Sequence, residues 1–402
     1  MPTGRHSKGR PRKGSTSAWG TRRELLIAAV GGMAGIGIAA VLGGRRVGRP
    51  APPDLFGTTV VVTKEMLGAG AVSSGVALPP VPPVTGSRRV PVRSWGRPLP
   101  YPIVIADCRN NRLLEVSPEK RIVWEFPSPD LGSYRGNECV NFSPDGRLLA
   151  VSEEDDYDIH FVDYEKRAVV WSFGVPHVKG SAPGLLNYPD DAHLREDGMV
   201  IIADARNCRV LIIDPRTKRI VTEWGKPKRC QHEPPRYFEH PDGVVPFDNG
   251  DILVTEVRGS WVSRITRAGR VVWSVVAPGV SHPSDAFPTS DGQVIVADCS
   301  KPGRVVIFDP GSQRVTWDYE AKAGDKMLDH PSLARELTDT GDIIVADPLR
   351  ERVIVIDRKT KDIVWQYGVT DHKGHAPGYL NYPDGFDIDV FRDWEGSRTA
   401  RP

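Results

Sequence analysis

Three histidines and two tyrosines each precede a proline in the recurring motif [His/Tyr]-Pro-[Asp/Ser]: Tyr188, His240, His282, His330 and Tyr382. Imidazole nitrogens that converge on one point bind zinc. The same recurrence with Tyr in place of His also fits capping or packing. Carboxylates stand at or beside matching positions, at Glu138, Asp191 and Asp285. A further run reads Glu153-Glu154-Asp155-Asp156-Tyr157-Asp158. Its acids Glu154, Asp155, Asp156 and Asp158 form either a Ca²⁺ site or a solvated acidic loop. The cofactor implied by these residue types is a divalent cation, Ca²⁺ or Zn²⁺. Unpaired acids and imidazoles near one axis cost electrostatic free energy unless a cation, water or ligand joins them.

Other chemistry is poorly represented. The connection 225–243, GKPKRCQHEPPRYFEHPDG, is long, basic and aromatic, and long loops on rigid scaffolds are where function concentrates. Its His232-Glu233 opens like a zinc-protease helix motif, but Arg236 stands where the second histidine belongs and prolines forbid the helix. The patterns GxSxG, GxxxxGK[ST] and GxGxxG between strand and helix are absent. Five cysteines, at 108, 139, 208, 230 and 299, include no CxxC pair. Their wide spacing leaves two alternatives, one or two disulfides or buried free thiols.

The elements that position these residues repeat six times. One apolar strand ends in an acid at Asp107, Glu153, Asp204, Glu256, Asp298 and Asp347. A second apolar strand follows each, and a third carries Trp124, Trp171, Trp273, Trp317 or Trp365. In the third repeat Thr222 takes the Trp position, and the intervals are then 47, 51, 51, 44 and 48 residues. That period fits four-stranded propeller blades. A fourth strand precedes each acid strand, running from the [His/Tyr]-Pro step to a turn such as Asp197-Gly198 or Asn249-Gly250. Asp-Gly and Asn-Gly accept the positive φ of a tight hairpin. The first repeat lacks this strand ahead of it, and one is left over at 382–388. The expected fold is therefore all-β, a six-bladed propeller over 101–392 closed by the C-terminal strand, with a tail at 393–402. Trp and the aromatic two residues on share a strand face and are expected to pack between blades. The acid/Arg pairs Asp107/Arg112, Asp204/Arg209, Asp298/Arg304 and Asp347/Arg352 flank the turn that follows each acid strand, as structural pairs or as a substrate-binding ring of acids.

Over roughly 101–390 the pattern Pro-Asp-Gly…Asp-Gly…Val-Ala-Asp…Arg-Val…Asp resembles NHL-type propeller repeats. The stretch VIVIDRKTKDIVWQYG at 353–368 resembles the repeat of pyrroloquinoline-quinone enzymes, and its Trp strand is also similar to that of arylsulfotransferase-type propellers. The resemblance implies a propeller. It carries no single activity, since these families share blades and differ in chemistry.

Ahead of the repeats, residues 25–43 are nineteen residues without a charge. As a helix they would span about 28 Å, close to a bilayer core. Seven Lys/Arg precede this run and three follow closely, which places a basic tail (1–23) in the cytoplasm and the propeller outside. Thr21-Arg22-Arg23-Glu24-Leu25-Leu26 also resembles a twin-arginine export signal, so 24–44 reads as an anchor or an export signal. Residues 45–100 form a Pro/Gly-rich linker. The first 49 residues hold ten Lys/Arg and one acid; the other 43 basic and 50 acidic residues give −7. The folded part thus lacks the basic footprint of a nucleic-acid binder. The expected partners are the membrane, through the N-terminal helix, and a protein or small-molecule ligand at the propeller face. A binding or scaffold module at the channel mouth is the first expectation. The rival is a propeller enzyme like the arylsulfotransferases, NHL-type lyases or quinoproteins.

Overall fold

The computed structural model describes residues 95–97, 99–127 and 137–392. The anchor, nearly all of the linker and the C-terminal tail expected from the sequence lie outside these residues. Among the described residues no helix is long and apolar enough to cross a membrane.

Among the described residues, twenty-four strands form six antiparallel four-stranded sheets. From the centre outward the first strands are β24 (Pro383–Ile388), β4 (Asn137–Phe142), β8 (Pro189–Leu194), β12 (Pro241–Pro246), β16 (Pro283–Pro288) and β20 (Leu333–Glu336). The second are β1 (Ile103–Asp107), β5 (Leu148–Glu153), β9 (Val200–Asp204), β13 (Ile252–Glu256), β17 (Val294–Asp298) and β21 (Ile343–Asp347). The third are β2 (Arg112–Val116), β6 (Asp158–Asp163), β10 (Arg209–Asp214), β14 (Trp261–Ile265), β18 (Arg304–Asp309) and β22 (Arg352–Ile356). The outermost are β3 (Ile122–Phe126), β7 (Ala168–Gly174), β11 (Arg219–Gly225), β15 (Val271–Val276), β19 (Arg314–Glu320) and β23 (Ile363–Gly368). Blade 1 has the order β24-β1-β2-β3 and each later blade is consecutive in sequence.

Sequence explains this radial order. The second strands, IVIAD, VIIAD, VIVAD and their relatives, are buried along their whole length. A strand covered on both faces by neighbouring sheets tolerates an unbroken apolar run. The outer strands instead alternate, as in β11 with Trp224 and Gly225 buried and Arg219, Val221 and Glu223 exposed. Hairpins between first and second strands turn at Gly146, Gly198, Gly250, Gly292 and Gly341, all at φ between 69° and 82°, a region costly for a residue with a Cβ. Thr222 pairs with Ile212 in the register where Trp171 pairs with Phe161, so it does occupy the Trp position; Trp224 fills the place of the second aromatic.

The tryptophans join consecutive blades. The indole N–H of Trp124 donates to the Tyr164 carbonyl of blade 2, Trp171 to Pro215 of blade 3, and Trp317 to Arg358 of blade 6, at 2.7–2.9 Å. Lys218 lies over Trp171 and Lys361 over Trp317, again from the following blade.

Candidate functional site

At the end of the propeller where the first strands begin, a bulge shifts the register with the second strand in five blades, between residues one and four of the strand in four of them and between Asn137 and Cys139 in blade 2. Bulges re-aim side chains. Residue two of the first strands is Asp384, Glu138, Asp190, Asp242 and Ser284, and in blade 6 the matching residue of the motif, Ser332, stands just ahead of β20. Four carboxylates thus stand side by side on blades 1–4, and two serines complete the circle. The serines serve the ends of the acidic arc: Ser284 donates to Asp242, and Ser332 donates to the Asp384 backbone carbonyl. The two middle acids have no such donor. Instead Glu154, from the turn between β5 and β6, brings a third carboxylate to them. One oxygen each of Glu138, Glu154 and Asp190 lie within 4.8 Å of one another.

All of these residues keep some exposed surface, yet the carboxylates face each other across a protein-walled mouth. Burial, then the charge and hydrogen bond of Glu154, pushes Glu138 well above the usual carboxylate range. Burial and then Asp242 and Glu154 do the same to Asp190, and burial with Glu154 and Asp384 to Asp242. Asp384 is raised to about 7, chiefly by burial, with Ser332 and Arg109 holding it down and Glu154 lifting it. Such a site holds protons, or a cation in their place.

Asp191 and Asp285, one position further along, lie beneath this ring. Asp191 ties three blades together, accepting from Asn141 at 2.9 Å, the Val244 N–H at 3.0 Å and His193 at 3.1 Å. Burial alone would raise it, but His193 and these donors hold it below its ordinary value. Asp285 is 6% exposed and its Oδ1 has no hydrogen-bond partner. That oxygen fills the space a side chain at Gly243 would need, 2.0 Å from a Cβ built there. Burial and the charges of Asp191 and Asp242 raise it well above the usual range.

The aromatic and histidine positions form an outer lip. Arg206 stacks over Tyr188 at 3.2 Å and Arg109 over Tyr382 at 4.2 Å. Burial and then Arg258 and Arg206 push His240 down to about 4, so it is neutral at pH 7. His330 is 2.6 Å from Asp329, and His282 is exposed beside Ser281. Among the described residues, no group of three metal donors includes any of the three histidines. Their positions are six-fold related, which spreads them round the lip instead of gathering them.

The acidic run of blade 2 is divided in the same way. Glu154 joins the ring, Asp155 is exposed, and Asp156 pairs with His177 at 2.9 Å. Asp158 faces His160 at 3.3 Å, with Glu153 3.6 Å from the same nitrogen. The four acids do not form one coordination sphere, because a tight turn fans them out. Asp158 stands in the register position held by Arg112, Arg209, Arg304 and Arg352 in other blades. His160 supplies the missing positive charge: burial alone would lower it, but Glu153 and Asp158 outweigh that and lift it to about 10.

Of the acid/Arg pairs, three form: Asp107–Arg112 at 2.7 Å, Asp204–Arg209 at 2.6 Å and Asp347–Arg352 at 2.8 Å. Arg304 turns to Asp318 instead. A single disulfide, Cys208–Cys230, links blade 3 to the long connection, while Cys108, Cys139 and Cys299 are free. At the opposite end of the channel lies a cavity of about 410 Å³ whose lining includes Phe142, Arg195, Phe247, Arg335 and Phe391. The ends of the first strands supply much of it, a position the sequence patterns did not single out. Its cations are neutralised locally, Arg195 by Asp197 and Arg335 by Asp387.

Comparisons with known proteins agree with this geometry. Residues 206–379 match the family model described as outer membrane protein assembly factor BamB, of the PQQ-like repeat type. No curated protein matches the chain in sequence. A protein of unknown function from Bacteroides caccae superposes with a TM-score of 0.51 at 15% identity, over 72% of this chain and 98% of that one. A chain of a nidogen/laminin complex gives 0.51 at 12% identity, over 73% and 99%. Virginiamycin B lyase from Staphylococcus aureus, at 0.46 and 13% identity over 68% and 87%, is too distant to bear on activity. The chain is a six-bladed β-propeller, and its residues 206–379 are similar to PQQ-like repeats.

Proposed function

We propose that this chain is a membrane-anchored, extracytoplasmic binding module whose acidic channel mouth takes a cationic ligand, in the first place a divalent cation. The observation that carries this is the meeting of Glu138, Glu154 and Asp190 within 4.8 Å, inside a larger acidic arc. Three carboxylates are hard oxygen donors, which favours Ca²⁺ over Zn²⁺. The fold does not need them there, since hairpins and tryptophans already hold the blades. The buried, unpartnered Oδ1 of Asp285 adds a further uncompensated group beneath the ring. A cation bound at the mouth would expose the lip residues Tyr188, Tyr382 and His240 to a partner in a fixed arrangement. Export is supported by the basic leader and apolar run of the sequence, and by the disulfide, since disulfides persist in oxidising compartments.

The test uses the full chain in detergent, stripped with chelator and titrated with Ca²⁺ at pH 7.5. Calorimetry should show one saturable site, and the melting temperature should rise with Ca²⁺ concentration. Glu138→Gln with Asp190→Asn should abolish both effects while leaving the chelated protein folded. A parent protein that binds no Ca²⁺ and does not gain melting temperature overturns the cation site.

A further inference from the structure

Blade 4 departs from its neighbours at the turn between its second and third strands. The register position that carries arginine in four other blades carries Trp261, paired with the acid Glu256. The place of the guanidinium is taken by His232, from the connection 225–243. Its ring lies flat on Trp261, 3.8 Å between centroids and 3° between planes. Its Nδ1 is 2.7 Å from Glu256 Oε1, and its Nε2 is 3.0 Å from the hydroxyl of Ser274 on β15. Ser263 Oγ, on β14, lies 2.7 Å on the far side of Ser274 Oγ. Glu256 is fully buried and also accepts the Glu239 backbone N–H.

The carboxylate fixes the tautomer. With Nδ1 facing an anion, the proton sits on Nδ1, and Nε2 presents its lone pair to the serine hydroxyl. Glu256 and Ser263 are buried, whereas His232 and Ser274 are partly exposed, so the reacting edge is the one open to solvent. Stacking on Trp261 holds the imidazole plane, and Cys230, two residues before His232, is tied to Cys208 of blade 3. An acid orienting a base that faces a hydroxyl is the arrangement of an activated nucleophile, on whatever fold it occurs.

We propose that Ser274, His232 and Glu256 form a nucleophile–base–acid triad that cleaves carboxylic esters, at a site separate from the channel mouth. Ser274 Oγ attacks the ester carbonyl carbon while its proton passes to His232 Nε2. The tetrahedral adduct collapses, the bond to the alkoxy oxygen breaks, and the imidazolium gives its proton to the departing alkoxide. Water then attacks the acyl-serine, losing a proton to Nε2. Collapse of that adduct releases the carboxylic acid and returns the proton to Ser274. The products are one alcohol and one carboxylic acid, with no other reactant than water.

The decisive experiment treats the full chain in detergent with a fluorophosphonate, which esterifies activated serines, and maps the adduct by peptide mass. The expected result is an adduct on Ser274 that forms at least tenfold more slowly in His232→Gln and in Glu256→Gln, each checked for a native melting transition. Should a variant not fold, the parent decides: an adduct on Ser274 that is lost when the protein is unfolded in urea supports the triad. A natively melting parent that gives no adduct, or an adduct only elsewhere, overturns it. Equal labelling of Ser274 in the parent and in folded His232→Gln also overturns it, and would leave His232 as a stand-in for the absent arginine.

Discussion

Asp384 reports the electrostatics of the mouth most directly, because its folded-state pKa of about 7 falls in an accessible range. The sign follows from linkage. A carboxyl raised on folding contributes stability that is fully present below its unfolded value, about 3.9, and is lost as pH rises through about 7. The cation-free protein should therefore melt lower at pH 8 than at pH 5. Asp384→Asn should flatten that difference and raise the pH 8 melting temperature by roughly 2–6 °C, as thermal melts in chelator would show. A fall at pH 8 would mean that the Asp384 charge is compensated in the native state. The residue scale is also where sequence reading reached least far. The motif points to the right end of the strands, but Asp191 and Asp285 stand one residue past the ring. The bulge at the strand entrance changes which residue faces the axis, and spacing alone does not show a bulge. His160 carried a usable signal, since it shares a strand face with Asp158 two residues earlier.

Tryptophan-bearing strands are the elements that turn six sheets into one body. Trp171 is 4% exposed, stacks with Phe161 at 4.7 Å and donates to the Pro215 carbonyl of the next blade. Trp171→Ala removes that packing and strands a buried carbonyl, so it should cost about 3–5 kcal/mol. Val272→Ala, on an exposed site of an equivalent strand, should stay within about 0.5 kcal/mol. Urea unfolding of both variants checks the contrast, and equal midpoints would show that the Trp contacts between blades are dispensable. Elements were legible because each carries its own periodicity: unbroken apolar runs for strands covered on both faces, alternation for outer ones, and Asp-Gly or Asn-Gly at the hairpins. The substitution of Thr222 for Trp was readable from the interval alone. The replacement of arginine by His232 was not, since it depends on a loop folding back onto a strand some 30 residues distant in sequence.

For the whole molecule, the charge asymmetry about residues 25–43 predicts a propeller on the outer side of the membrane. A reporter active only outside the cytoplasm, fused after Pro402, should be active; activity confined to a cytoplasmic reporter would place the propeller inside. The strand order of the propeller also sets how it would respond to tension. Blade 1 is built from both ends of the described chain, with Ile103 of β1 paired opposite Ile388 of β24 and the Asp389 N–H donating to the Pro102 carbonyl beside them. Because these strands are antiparallel, tension applied between the two ends meets them at the same end of the pair. It would load the cross-strand bonds one after another, as in opening a zipper, and never all together in shear. Under load the ring would give way at this seam, peeling β24 from β1 before any other blade is strained. The propeller is then mechanically soft to tension applied between the two ends of blade 1.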